Sequence, residues 1–202
     1  MTMLKGLLVD LVPMNAAYED KMVQYWNNES RQWAFMGDWG PISRASIKRI
    51  VEHRREGAAH GYTGVHFMMR ARDGNTIGST GLNWVNQWSR TASLGSWIGE
   101  PAYWSGGHGT DALLLLMEYA FDWLDLRRLD LGTMGPNVRA QQNVEHCGFR
   151  LEARRRGATF VDGQPVDVLE YGILREEWPG RAALVEQLNL RQRAETRYGK
   201  VE

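Results

Sequence analysis

The chain has 202 residues, 43% hydrophobic and 24% charged, which is ordinary globular usage and excludes disorder, collagen and a long coiled coil. Lys plus Arg and Asp plus Glu each total 24, so the net charge is zero with His neutral, and no overall field draws in nucleic acid or anionic lipid. The longest uninterrupted apolar run, Ala112 to Met117, falls far short of the ~20 residues of a membrane-spanning helix. A soluble chain with no membrane partner is expected. Asp10 interrupts Leu7-Leu8-Val9 and no small-residue cleavage site follows, so no secretory signal is expected and the cytoplasm is the default location. The single cysteine, Cys147, excludes an internal disulfide and a multi-cysteine zinc site. The nine tryptophans are expected mainly in the core, with only those in loops open to a functional reading.

In chain order, Leu7 to Val12 reads as a strand, followed by a helix from Asn15 to about Asn27 with Tyr18, Met22, Tyr25 and Trp26 on one face. The aperiodic stretch Ser30 to Pro41 carries Trp33, Phe35, Met36 and Trp39 and reads as a covering loop. Ser43 is placed to cap a helix that Gly57 ends. Val65 to Arg72 and Thr76 to Trp84 form a hairpin around Asp73-Gly74-Asn75, and Thr91 to Ile98 is a third strand. Thr110 to Leu124 is a helix apolar nearly all round, hence buried against a sheet. Arg128 to Thr133 is a strand, Asn137 to Cys147 a helix, and Phe149 to Phe160 with Val166 to Leu174 two strands around Asp162-Gly163. Glu176 to about Arg193 is a polar helix, and the tail beyond it is expected to fray. No repeat or linker is visible, so residues 1–202 are taken as one mixed α+β domain, 179–202 being the polar helix and tail. Its largely antiparallel sheet has one parallel strand pair.

Strand, glycine loop and helix start come together in Trp97-Ile98-Gly99-Glu100-Pro101-Ala102-Tyr103-Trp104-Ser105-Gly106-Gly107-His108-Gly109-Thr110. Successive amides pointing into one concavity, together with the unpaired donors of a helix N-terminus, favour a phosphate or diphosphate. A purely structural glycine turn is the competing reading. The chain has no Gly-Lys-Ser or Gly-Lys-Thr of a P-loop, and the spacing is not that of a Rossmann unit.

Tyr103 to Ala112, YWSGGHGTDA, resembles the pyrophosphate-binding motif of the GCN5-related N-acetyltransferases, in particular the Rim-type and spermidine-acetyltransferase-like branch. Asn137-Val138-Arg139-Ala140 with Glu145-His146-Cys147-Gly148-Phe149, then Asp162-Gly163, Asp167 and Leu174-Arg175-Glu176-Glu177-Trp178, resemble the family's later motifs in the correct order, and Trp26 fits as well. The resemblance implies an acetyl-coenzyme A site and a sheet in which Ala92–Gly99 and Leu129–Thr133 splay apart. The amides of Gly106, Gly107, His108, Gly109 and Thr110, beside Ser105, would take the diphosphate. The pantetheine arm would lie along Trp97, Ile98 and Gly99 like an added strand. Asn137, Ala140 and Asn143 would flank its far side, and Arg139 would either reach a phosphate or stand in solvent.

Acetyl transfer to an amine needs a neutral amine, a donor for the developing oxyanion and a proton for the departing thiolate. The resemblance assigns the oxyanion contact to the backbone amide near Ile98. Many relatives carry a carboxylate on the preceding strand, but Arg90 and Ser93 occupy the matching positions here. Glu100 is the nearest remaining acid and His66 a second candidate base, each with a structural reading beside it. The proton donor of relatives is missing too, with Val144 and Ala140 in its places, and water is the substitute. Cys147 reads as a buried hydrophobe rather than an acetyl carrier. His53, His60 and His146 show no metal spacing, and His108 is expected to offer its amide rather than its ring.

The acceptor is expected under the first two helices, against Trp39, Trp84 and Trp88, whose rings exclude water or hold an ammonium. These tryptophans equally suit loop anchoring or a homodimer contact. The resulting reading is transfer of acetyl from acetyl-CoA to a primary amine by direct attack in a ternary complex, the amine belonging to a peptide N-terminus, a polyamine, an amino acid or an amino sugar. The alternative is a non-catalytic acyl-CoA sensor, motivated by the missing acid and base.

Overall fold

The computed structural model describes residues 4–16, 18–27, 37, 40–56 and 64–200. Eight strands form one sheet in the order β1-β2-β3-β4-β5-β6-β8-β7: β1 Leu4–Lys5, β2 Val9–Pro13, β3 Val65–Ala71, β4 Thr76–Asn86, β5 Thr91–Ile98, β6 Arg128–Met134, β7 Arg150–Val161 and β8 Gln164–Leu174. Every pairing is antiparallel except β5 with β6, which is parallel and limited to Thr91↔Arg128, Ala92↔Leu129 and Ser93↔Asp130. Beyond Ser93 the two strands diverge.

Helices α1 (Tyr18–Trp26) and α2 (Arg44–Glu56) cover one face of the sheet. There Met22, Tyr25, Trp26, Ile47 and Val51 pack on Met68 and Trp97. Ser43 caps α2 as expected, its hydroxyl accepting the Ser46 amide at 3.1 Å. On the other face, α3 (His108–Glu118) buries residues all round and packs with Leu94, Leu129 and Leu131 of the sheet. Helices α4 (Val138–His146), α5 (Arg181–Gln187) and α6 (Leu190–Tyr198) complete this layer.

Four differences from the sequence expectation have physical causes. The glycine loop closes early, so α3 begins at His108 rather than Thr110, on Gly107 in the left-handed region at φ +92°. The far end of α3 widens into a π turn, Tyr119–Trp123, closed by the Leu124 amide on the Tyr119 carbonyl at 3.1 Å. The C-terminal stretch is two helices, broken where Asn189 takes φ +50°, and it docks rather than frays because Leu190 and Ala194 are fully buried one turn apart. Among the described tryptophans only Trp26 and Trp97 are buried, while Trp84, Trp88 and Trp123 are exposed. No described helix is long and apolar enough to cross a membrane.

Candidate active site

A single cleft of about 590 Å³ begins at the glycine loop, passes through the gap between β5 and β6 and ends beneath α1 and α2. Its glycine-loop end is held by side-chain hydrogen bonds of the loop and of the first turn of α3. The Tyr103 hydroxyl donates to Asp73 at 2.7 Å and accepts from Asn75 at 3.0 Å, anchoring the loop to the β3–β4 turn. Trp104 Nε1 donates to the Ile98 carbonyl at 2.8 Å. Asp111, with no exposed surface, accepts the amides of Leu8 at 2.7 Å and Val9 at 3.1 Å and pairs with Arg181 at 3.3 Å. That carboxylate staples the first turn of α3 to β2, and it explains why the strand begins at Val9 rather than Leu7.

The loop fits a diphosphate. No side chain caps α3, so its first amides keep the unpaired donors and partial positive charge of a helix start. A Cβ on Gly107 would come 2.9 Å from Leu8 Cδ1, in a backbone conformation that side chains disfavour. A Cβ on Gly109 meets only ordinary contacts, 3.7 Å from Ile98 and 3.8 Å from Asn143. Ser105, Gly107, Gly109 and Thr110 line the cleft. Gly106 packs against the His108 ring and the Arg197 guanidinium. The His108 ring is buried and shares a 2.9 Å hydrogen bond with the Tyr198 hydroxyl, so it serves as scaffold. Burial, then the Arg197 charge, pushes its imidazole down to about 4.

Across the gap, Asn137 caps α4 by accepting the Ala140 amide at 3.2 Å, and both residues line the cleft. Thr110 donates to Asn143 at 2.6 Å, tying α3 to α4. Arg139 is not fully solvated and has no ion pair among the described residues: its guanidinium lies 4.0 Å from the centre of the Trp104 ring at the cleft wall. The docked α6 adds Arg193, at the end of the expected polar helix, to the lining. The spacing Leu190, Ala194, Tyr198 was the available signal.

Strand alternation fixes what β5 offers. The Gly99 amide donates to Ile77 on β4 at 2.9 Å, so Trp97 and Gly95 also direct their main chain toward β4. The alternating residues Leu94, Ser96 and Ile98 therefore turn theirs toward the splayed gap. Of the three residues considered for the pantetheine arm, Ile98 has the amide that faces it.

Beneath α1 and α2 the floor of the cleft is flat. Gly81 lies between His66 and Gly95 in register, and a Cβ on Gly81 would come 2.7 Å from His66 Nδ1, as one on Gly95 would from the Asn83 amide. Both side chains can thus lie on the sheet. Burial, reinforced by Arg54 and His53, holds His66 down at about 4, so its ring is neutral at pH 7. Ser93 lines the cleft at the last paired step before β5 and β6 part, and its partner there is Asp130. Burial raises the Asp130 carboxyl above its ordinary value against the opposing effects of the Ser93 hydroxyl and Arg128.

Other expected site residues lie apart. Glu100 is in the turn after β5 and is not among the lining residues. Trp84 and Trp88 stand exposed on the β4–β5 hairpin, 42% and 91% accessible, and do not line the cleft either. Trp39 and His60 lie outside the described residues. Cys147 is fully buried, and burial pushes its thiol up to about 12. No cluster of His, Cys, Asp or Glu among the described residues suits a metal ion.

A mixed sheet that splays at one parallel pair, with a glycine loop and helix start opening onto the gap, defines the acyl-coenzyme A-binding class that the sequence motifs resemble. The family described as acetyltransferase (GNAT) domain matches residues 9–150, and the chain belongs to it. It is 32% identical over 108 residues to the putative ribosomal N-acetyltransferase YdaF of Bacillus subtilis, a match covering 54% of this chain and 58% of that relative. It is also 24% identical to the uncharacterized N-acetyltransferase p20 of Bacillus licheniformis, over 80% of this chain and 89% of that protein. Among solved structures, Mycobacterium smegmatis RimJ in complex with CoA-disulfide superposes with a TM-score of 0.77 at 23% identity, covering 92% of each chain. Spermidine N-acetyltransferase from Vibrio cholerae, in complex with CoA and spermine, gives 0.73 at 20%, covering 84% of this chain and 97% of that one. These two likenesses show the fold.

Proposed function

We propose that the protein transfers an acetyl group from acetyl-CoA to a primary amine, by direct attack within a ternary complex. The observation that carries this reading is the continuity of one cleft from the start of α3, through the β5–β6 gap, to the opposite face of the sheet. Donor and acceptor can then meet in the gap. Acetyl-CoA, when bound, supplies an acetyl group activated as a thioester.

The chain's own residues have separable tasks. The amides at the start of α3, from Gly107 to Thr110, hold the diphosphate, and Arg193 adds positive charge beside them. The Ile98 amide faces the gap and is the candidate donor for the developing oxyanion. Where relatives carry a carboxylate on β5 this chain has Ser93, and Asp130 stands beside it on β6. In this reading the Ser93 hydroxyl takes the amine's proton, directly or through a water, as it passes its own to the Asp130 carboxylate. Glu100 yields the role of base to this pair because it does not line the cleft. The buried thiol of Cys147, largely protonated at neutral pH, offers no covalent relay.

The test is incubation with acetyl-CoA and a panel of amines, following free thiol and intact mass. Ribosomal-protein and polyamine amines, the acceptors that the names of the relatives carry, belong in the panel beside small anionic amines. Thiol release tied to acetylation of one class supports the proposal. Tight CoA binding with no release on any amine supports the sensor instead. Within an active enzyme, Asp130→Asn should lower turnover ~100-fold or more and remove the acidic limb of the pH–rate profile; an unchanged profile excludes this proton route.

A further inference from the structure

The acceptor end of the cleft carries a charge that the reaction does not use. Arg54, near the end of α2, lines the cleft beside His66. Among the described residues it has no ion-pair partner. The groups felt by its charge include His66, whose ring is neutral at pH 7, and the phenol of Tyr18, whose buried hydroxyl is engaged by Ser79. A guanidinium withdrawn from water without a carboxylate is costly unless an anion completes it. The whole described lining points the same way: Arg54, Arg139 and Arg193 face the cleft and no Asp or Glu does. Asp130 stands behind Ser93, on the neighbouring strand.

We propose that the acceptor is a small amine that also carries a carboxylate or phosphate, and that Arg54 binds this anionic group and selects for it. The proposal rests on the acetyl-transfer reading and names its substrate class. His66 on β3 pairs through Gly81 with Gly95 on β5, two residues along the strand from Ser93, so the two positions are ~12 Å apart, a span that the long Arg54 side chain and one small molecule share. A polyamine, with ammonium groups at every binding end, would instead set a second cation against Arg54.

The experiment compares matched acceptors: free amino acids and phosphoethanolamine against amino acid amides, spermidine and a short peptide, by thiol release from acetyl-CoA. The expected result is a preference of about 10- to 100-fold in kcat/KM for the anionic amine over its amide, the range of one charge-assisted contact. Arg54→Gln should erase that preference by raising KM for the anionic amine far more than for its amide, with the thermal midpoint kept, and Arg54→Lys should restore part of it. Amino acid against phosphoethanolamine distinguishes carboxylate from phosphate. Equal use of amide and acid, faster use of spermidine or the peptide, or a preference that survives Arg54→Gln would each overturn the proposal. If CoA binds but no amine is acetylated, acetyl transfer itself fails. Calorimetry with N-acetylated amino acids against their amides on wild type and Arg54→Gln still decides the anion site: selective binding lost in the variant supports it, and binding indifferent to charge or variant refutes it.

Discussion

At its α3 end the cleft opens onto the main chain of the glycine loop, whose conformation is set by hydrogen bonds of Tyr103, Trp104, His108 and Asp111. At its α2 end it is walled by side chains of Arg54, His66 and Asn83 lying over a glycine floor. The first end holds its shape through Tyr103 on the β3–β4 turn, His108 on Tyr198 and Asp111 on β2, none of which needs to touch a ligand. The second can change specificity one side chain at a time without disturbing the sheet. A scaffold of backbone amides suits a constant donor, and replaceable side chains suit a varied acceptor.

Substitutions that separate scaffold from ligand contact test this division. Asp111→Ala strands the Leu8 and Val9 amides and the Arg181 charge, and should cost ~3–5 kcal/mol in denaturant unfolding; a loss below ~1 kcal/mol would mean that the α3 start is held in some other way. Gly109→Glu adds a carboxylate where a Cβ is tolerated, so CoA affinity should drop ~100-fold or more in calorimetry while the unfolding midpoint stays. Gly107→Glu differs in kind, because φ +92° and the Leu8 contact make it destabilising as well.

At the α2 end, His66 gives a pH signature. Its pKa in the fold is about 4, against 6.5 for the free side chain. Unfolding therefore takes up a proton between those values, so the stabilisation is whole above pH 6.5 and is lost as pH falls toward 4. His108 behaves alike. His66→Asn should reduce the slope of stability against pH in this window by up to one proton, ~1.4 kcal/mol per pH unit, measured by urea titrations at several pH values; an unaltered slope would show the ring already solvated. The smallest effect is expected for Arg193→Ala, a roughly 3- to 10-fold loss of CoA affinity that shrinks at high salt.

The same division explains what could be read from the residues alone. Strands, the hairpin at Asp73-Gly74, the glycine loop and the buried α3 were legible because period-2 and period-3.6 patterns and turn residues are local. The glycine loop that we propose as the diphosphate cradle was legible as strand, glycines and helix start, and its proposed ligand came from the resemblance of that stretch to the family's motif. The proposed acceptor end was legible only in His66, since Arg54, Asn83 and Asp130 lie far from it in sequence and meet it only through the sheet and the packing of α2. Glu100 drew attention as the acid nearest the motif, whereas the acid beside Ser93 is on the next parallel strand. The docking of α6 was missed although Leu190 and Ala194 carry a helical stripe, because a polar, charged helix reads as solvated until the surface it covers is known.

A crystal structure of the protein with coenzyme A would examine the diphosphate cradle itself. The phosphate oxygens should lie ~2.7–3.2 Å from the amide nitrogens of Gly107 to Thr110, with the pantetheine running along the Ser96 and Ile98 edge of β5. A diphosphate bound elsewhere, with those nitrogens turned to protein acceptors, would contradict the assignment and with it the path of the donor through the sheet.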